Sequence, residues 1–530
     1  MRKLTILLYL VTFLVGTTTA KEKPGFLKYS NDQWVDSLMK TLTLDQKIGQ
    51  LFMIQAYSTQ KSQKTEELIR QIKQFQVGGV IFMQGGPLAQ SRICNSFQQA
   101  SKVPLLIAID GETGLGFRLD STLSYPVQMG LGAIADDTLI YRMGFGIGQQ
   151  FRRLGIHMNM APVCDININP SNPVINYRSF GEYKMQVARK SWLYASGMQD
   201  AGVLATAKHF PGHGDTQTDS HLLLPVFNQT KSELDSLELF PFSYLINQGI
   251  GAVMTGHLQV PALEPNTKTP ATLSSRIIKN KLKRDLGFEG LIITDAMNMS
   301  GVGKASSGEL VVRALKAGND MVEIVPNLER AILAVKLAVK SGVITKEEID
   351  SKCRKILAVK KWLALDRQRP IDTRNLISDL NQNKYLLTKR QLFEKSLTVL
   401  ENKNNLLPIQ RLDTLKIASL AIGSEQIVPF QKMLENYTQV DHFNISKNPS
   451  EAEITKLLNQ LKSYKLVISS IHGMGLYPSR RYGITDQQIR LTEGLDNQRT
   501  IFAFFGNPYA LSNFSQIKNA QSVIVAYQDD

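Results

Sequence analysis

From about residue 35 to residue 365, short apolar runs alternate with longer stretches whose apolar side chains recur every three or four positions. The runs at 51–56, 79–83, 105–110, 157–162, 204–209, 252–257, 291–295 and 320–325 read as strands covered on both faces. Stretches such as 65–75 and 329–341 read as amphipathic helices. Eight strand–helix units in about 330 residues predict an α/β fold of the (β/α)8 TIM-barrel type over residues 35–365 rather than an open sheet. Polar residues recur at the C-terminal ends of these strands: Asp110, Lys208, His209, His257, Asp295 and Glu323. In a barrel of this type, that end is the active face.

Residues 366–384 are polar, contain Pro370 and lack periodicity, which predicts a linker. A helical pattern at 385–397 then leads into a second alternating series. Its strands are expected at 416–421, 440–445, 466–471, 501–505 and 522–527, with helices at 426–437, 452–462 and 485–495. This series predicts a doubly wound α/β sandwich domain over residues 385–530. Its last strand runs almost to Asp530 with no covering helix, so the domain is expected to be cut short at its C-terminus.

The first twenty residues differ from the rest. Arg2 and Lys3 precede the apolar run 4–15, and Thr18, Thr19 and Ala20 supply small residues for cleavage. This is the pattern of a signal peptide, predicting export to the periplasm or beyond rather than stable membrane insertion. Cys94, Cys164 and Cys353 are too few for a disulfide framework and sit in apolar or helical contexts, so buried free thiols are expected. The formal charge of +15 allows an anionic partner. Lys and Arg are spread along the chain, however, so no nucleic-acid partner is expected, and oligomeric state is not legible.

Candidate chemistry concentrates in residues 208–221, KHFPGHGDTQTDSH, which hold three of the seven histidines. Pro211, Gly212 and Gly214 interrupt regular structure, placing these groups on a loop. His209 and His213 are four apart, but Pro211 and Gly212 break the helix that would align them, so no metal site is expected. His213 is read as structural. Asp219 lies two residues before His221 and suits the role of fixing its tautomer, leaving the other ring nitrogen to exchange protons. Asp295, closing the apolar strand LIIT, reads either as a helix cap or as a nucleophile that the histidine loop would serve.

These motifs, in order, resemble family 3 glycoside hydrolases, and within them the β-N-acetylglucosaminidase branch. The strings are LTLDQKIGQ at 42–50, NPVINYRSFG at 172–181, KHFPGHGDTQTDSH, PATLS at 270–274, GFEGLIITDAMNM at 287–299 and AGNDM at 317–321. Residues 385–530, with LLPI at 406–409, resemble the sandwich domain of some members. The resemblance implies Asp295 as nucleophile, Asp219 and His221 as the acid/base dyad, and Asp110, Arg178, Lys208 and His209 as sugar-binding residues. It implies no cofactor. Two positions depart from the family: DQEGG is replaced by Asp110-Gly111-Glu112-Thr113-Gly114, and the glycine after NPVI is Asn176.

The expected reaction is retaining exo-hydrolysis of terminal β-linked N-acetylglucosamine from muropeptides or chitin oligomers, through a glycosyl-Asp295 intermediate. An imidazole base would not repel phosphate, so a phosphorylase is an alternative. A β-glucosidase and a non-catalytic cell-wall-binding protein on the same fold are the others.

Overall fold

Each of the eight apolar runs holds a strand of one parallel sheet in the computed structural model, which describes residues 21–216, 224–266, 268–303, 305–495 and 499–529. The predicted signal peptide, Asp219 and His221 lie outside the described residues. The strands are β1 Phe52–Ala56, β2 Gly79–Phe82, β3 Leu106–Ile109, β4 Met158–Asn159, β5 Leu204–Phe210, β6 Ala252–Thr255, β7 Leu291–Thr294 and β8 Val322–Glu323. They run in the order β7-β6-β5-β4-β3-β2-β1-β8, and a parallel bridge from Ile293 to Met321 joins β7 to β8 and closes the barrel. Almost every strand side chain is buried, because the strands face the barrel interior on one side and the helical layer on the other. One irregularity matters for the site. On β5, Lys208 and His209 oppose the single residue Met254 of β6, a bulge that turns both side chains toward the barrel mouth.

The second sheet contains β9 Thr398–Asn402, β10 Ile417–Ile422, β11 Val440–Ile445, β12 Leu466–Ile471, β13 Thr500–Phe504 and β14 Ser522–Val525. The order is β11-β10-β12-β13-β14-β9. Five strands are parallel in a doubly wound arrangement, with apolar clusters on both faces, one around Leu420 and Phe504 and the other around Ile417 and Ile501. The sixth, β9, pairs antiparallel with β14 and has no counterpart among the predicted strands. Val399 and Leu400 of β9 are exposed, so no buried face marks it in the sequence.

The stretch 366–384 also differs from an unstructured linker. Leu376–Leu380 forms a short helix whose Leu376 and Leu380 are buried, and Gln150 Nε2 donates to the Leu380 carbonyl at 2.6 Å. The segment is therefore pinned to the helix Asp137–Arg153 of the barrel. All three cysteines are buried and unpaired, and burial pushes each thiol up to about 12. No helix among the described residues is long and apolar enough to cross a membrane.

Candidate active site

Polar side chains at the C-terminal ends of the barrel strands converge on a pocket of about 260 Å³. Asp110 follows β3, Lys208 and His209 leave β5, Asp295 follows β7 and Glu323 ends β8, with Arg118 and Arg178 arriving from loops. Ile81, Met83, Met160 and Met254 supply apolar wall. Of the residues proposed from sequence, Asp110, Arg178, Lys208, His209 and Asp295 are brought together here.

The cations are held by carboxylates before any ligand arrives. Lys208 Nζ lies 2.6 Å from Asp110 Oδ1 and 2.8 Å from Glu112 Oε1. Arg178 meets Glu112 through Nε and Nη2, at 3.0 and 2.6 Å, and Arg118 Nη2 meets Asp110 Oδ2 at 2.5 Å. Glu112 is almost wholly buried. Burial alone would raise its carboxyl, but Arg178 and Lys208 outweigh that and hold it far below the usual carboxylate range. Asp110, by contrast, keeps a fifth of its side chain exposed and so presents carboxylate surface to a ligand.

The backbone around these acids is itself fixed. Asn159 on β4 exchanges hydrogen bonds with Gly111, accepting from its N–H at 2.9 Å and donating to its carbonyl at 3.1 Å. Tyr194 Oη donates to the carbonyls of Gly111 and Glu112. A β-carbon at Gly111 would stand 2.7 Å from Phe151 Cζ, which explains why glycine separates the two acids.

Asp165, three residues beyond the predicted strand 157–162, organises the histidine loop. Its carboxylate accepts from the His209 and His213 N–H groups and, at 2.7 Å, from His209 Nδ1. The His209 proton is thereby assigned to Nδ1. His213 sits within the loop it was expected to support, its Nδ1 2.7 Å from Thr216 Oγ1. Burial, reinforced by His209, pushes His213 down to about 4, so its ring is neutral at pH 7. Asn172 Nδ2 donates to the carbonyls of His213 and Gly214. A β-carbon at Gly214 would overlap the Ile166 carbonyl at 1.6 Å.

Asp295 is placed for chemistry. Its N–H donates to the Thr255 carbonyl at 3.0 Å, and its Oδ1 accepts from the Ala296 N–H at 2.7 Å. Burial would raise this carboxyl, but His257, His209, the Ala296 N–H and Lys208 together lower it below its ordinary value. An ionised carboxylate in a pocket rimmed by cations is able to act as a nucleophile.

Loops after β12 and β13 reach the segment that carries Arg178. Tyr177, adjacent to Arg178, packs edge-to-face on Tyr477 with ring centroids 5.0 Å apart and hydroxyls 3.0 Å apart. Asn176 adopts φ +40°, a conformation asparagine tolerates better than most side chains. Its side chain donates to the Pro170 carbonyl and accepts from Asn507 Nδ2 at 2.5 Å. Asparagine in place of the family glycine therefore ties the Arg178 loop to the second domain.

Glu112, Arg118, Asp165 and Glu238 were not singled out as site residues from sequence. Glu112 stands in the altered DGETG string, and Asp165 lies in the loop after β4, beyond the strand end itself. Glu238 lies beneath the histidine loop, where Gln229 Nε2 links its Oε1 at 3.4 Å to Asp215 Oδ2 at 3.0 Å. Burial, aided by Asp165 and Asp215, pushes its carboxyl up from 4.5 to about 8. The folded state therefore binds this proton more tightly than the unfolded chain, and stability present below pH 4.5 is lost as pH rises toward about 8. Glu238→Gln lacks that slope. Its denaturant stability relative to the parent protein should grow between pH 5 and pH 8, by up to roughly 4 kcal/mol. A constant difference across that window would refute the assignment.

Comparison with known proteins agrees with this architecture. Residues 43–359 match the model of the glycosyl hydrolase family 3 N terminal domain. The chain is 30% identical over 387 residues to a beta-N-acetylglucosaminidase/beta-glucosidase of Cellulomonas fimi, covering 71% of this chain and 68% of that one. It is 30% identical over 369 residues to beta-hexosaminidase A of Pseudoalteromonas piscicida, covering 61% of this chain and 62% of that protein. The structure of a family 3 beta-N-acetylglucosaminidase from Paenibacillus sp. str. FPU-7 superposes with a TM-score of 0.75 at 33% identity, covering 92% of this chain and 94% of the other.

Proposed function

Because this chain belongs to glycosyl hydrolase family 3, we propose that it is a retaining exo-β-N-acetylglucosaminidase in which Asp295 is the nucleophile. The observation that carries this reading is the pairing of a carboxylate kept ionised, Asp295, with a fixed set of sugar-binding groups in one small pocket. At about 260 Å³ the pocket suits a single terminal sugar better than the interior of a glycan chain. The relatives' names support the β-linked N-acetylglucosaminyl substrate.

Asp110 and the His209 Nε2 lone pair accept hydrogen bonds from sugar hydroxyls, while Arg178 and Lys208 donate to them. Asp295 attacks the anomeric carbon as the glycosidic bond breaks, giving a β-to-α inverted glycosyl ester. His221, oriented by Asp219, gives its proton to the leaving oxygen and then takes one from the attacking water, which restores the β configuration. The dyad roles rest on the sequence motif. We place the enzyme outside the cytoplasm on the strength of its N-terminal pattern, acting on muropeptides or chitin oligomers.

The dyad makes a prediction of its own. His221→Ala should slow an aryl glycoside with a poor leaving group about 10²–10⁴-fold while leaving an activated one much less affected. Equal losses on both would remove His221 from the acid role. Product analysis with and without phosphate separates the two acceptors: free N-acetylglucosamine in both cases means hydrolysis, and a sugar 1-phosphate means phosphorolysis.

A further inference from the structure

Glu323 is a pocket carboxyl group with one oxygen that finds no hydrogen-bond partner among the described residues. It ends β8, lines the same cavity as Asp295 and is only 3% exposed. Its Oε2 is buried and has no hydrogen-bond partner among the described residues. The backbone around it is tied to the Asp295 segment, because Glu323 N–H donates to Thr294 Oγ1 at 3.2 Å and the Met297 N–H donates to the Glu323 carbonyl at 3.0 Å. Its backbone is therefore fixed relative to the nucleophile by one side-chain and one main-chain hydrogen bond.

The groups acting on it come from every side of the pocket. Asp295 from β7 and Asp110 from the end of β3 are anionic; Lys208 from β5 and Arg118 from the loop after β3 are cationic. Those cations are already engaged, Lys208 with Asp110 and Glu112, and Arg118 with Asp110. Burial pushes the Glu323 carboxyl well above its ordinary range, and Asp295 and Asp110 push it further, against Lys208 and Arg118. Asp295 is lowered instead, with the Ala296 N–H among its supports. Two carboxyl groups in one cleft are thus driven to opposite protonation states, an ionised one and a neutral one. A buried O–H left without an acceptor is costly, so its natural complement is a ligand oxygen.

We propose that Glu323 is a sugar-binding residue whose carboxyl O–H donates a hydrogen bond to an uncharged acceptor oxygen of the sugar seated against Asp295. This rests on the pocket being the sugar site. The acceptor is either a ring hydroxyl or the carbonyl of the acetamido group. Ionisation of Glu323 would both remove the donor and set a second negative charge beside the nucleophile.

The test compares Glu323→Gln and Glu323→Leu on an aryl β-N-acetylglucosaminide and the matching β-glucoside, with melting measured on each variant. Gln retains a donor and should keep kcat/KM within about threefold, whereas Leu should lose about tenfold. Glu323→Ala takes the place of the Leu variant if that one does not fold. Equal loss on both substrates assigns the contact to a ring hydroxyl; loss confined to the acetamido substrate assigns it to the carbonyl. An infrared difference spectrum, parent minus Glu323→Gln at pH 7, should show a protonated buried carboxyl whether or not either substrate turns over. The proposal is overturned if Gln is as damaging as Leu, if Leu is harmless, or if the band is missing. Absence of turnover by the parent protein, with the band present, would instead count against the glycosidase reading.

Discussion

Asp295→Asn should reduce turnover of an aryl β-N-acetylglucosaminide by about 10⁴–10⁶-fold while leaving the fold intact. The amide has nearly the shape of the carboxylate and still accepts the Ala296 N–H that Asp295 Oδ1 receives at 2.7 Å. It has no negative charge with which to form the glycosyl ester, so the loss falls on the first chemical step. Substrate contacts from Asp110, Arg178, Lys208 and His209 remain, and KM should change far less than kcat. Relief of charge also follows. With Asp295 neutral, one of the influences raising Glu323 disappears, and the Glu323 carboxyl should titrate lower in the variant. Activity within tenfold of the parent protein would mean that some other group attacks the sugar.

Glu112→Ala should cost about 3–5 kcal/mol of stability, the range for removing one partner from a buried ion pair. Glu112 is the shared counter-ion of Arg178 and Lys208, and both cations are largely out of water. Removing it leaves Arg178 with no carboxylate in hydrogen-bonding reach among the described residues, while Lys208 keeps Asp110 at 2.6 Å. Asp110 then has to balance both Lys208 and Arg118. Its oxygens become less able to accept from a sugar, so kcat/KM should fall together with the melting temperature. Glu112→Gln preserves the shape and should fall between the two. Because the Glu112 carboxyl is held far below its usual range, its contribution is present at neutral pH and is lost only as pH falls well into the acid range. A stability change under 1 kcal/mol for Glu112→Ala would show that water replaces the carboxylate at little cost.

The barrel was legible because its strands are buried on both faces and stand out as short apolar runs even where, as in β4 and β8, only two residues pair in the ladder. Polar residues at their ends identified five of the pocket residues, because a barrel of this type gathers the C-terminal ends of its strands onto one face. Four of the second domain's five parallel strands followed the same logic of burial, whereas the edge strand β11 is only partly buried. The domain's antiparallel edge strand β9 did not follow it, since Val399 and Leu400 have no core to face. Asp165 and Glu238 escaped notice because their significance depends on which loops meet. Asp165 acts through backbone N–H groups 44 and 48 residues away, and Glu238 through its closeness to Gly212, at the start of the same β5–β6 connection. Glu323 was visible as a strand-end residue, but its missing partner is a property of packing alone. The bulge that turns Lys208 and His209 inward likewise arises from pairing with β6, which no local pattern encodes.

The central claim is a covalent glycosyl-Asp295 intermediate. Its most direct test is peptide mapping by mass spectrometry after incubation with a fluorinated β-N-acetylglucosaminide whose leaving group is activated and whose glycosyl-enzyme turns over slowly. The account predicts one glycosyl adduct, located on the peptide containing Asp295 and absent from Asp295→Asn. Steady turnover of that compound with no adduct, or an adduct on another residue, would contradict it.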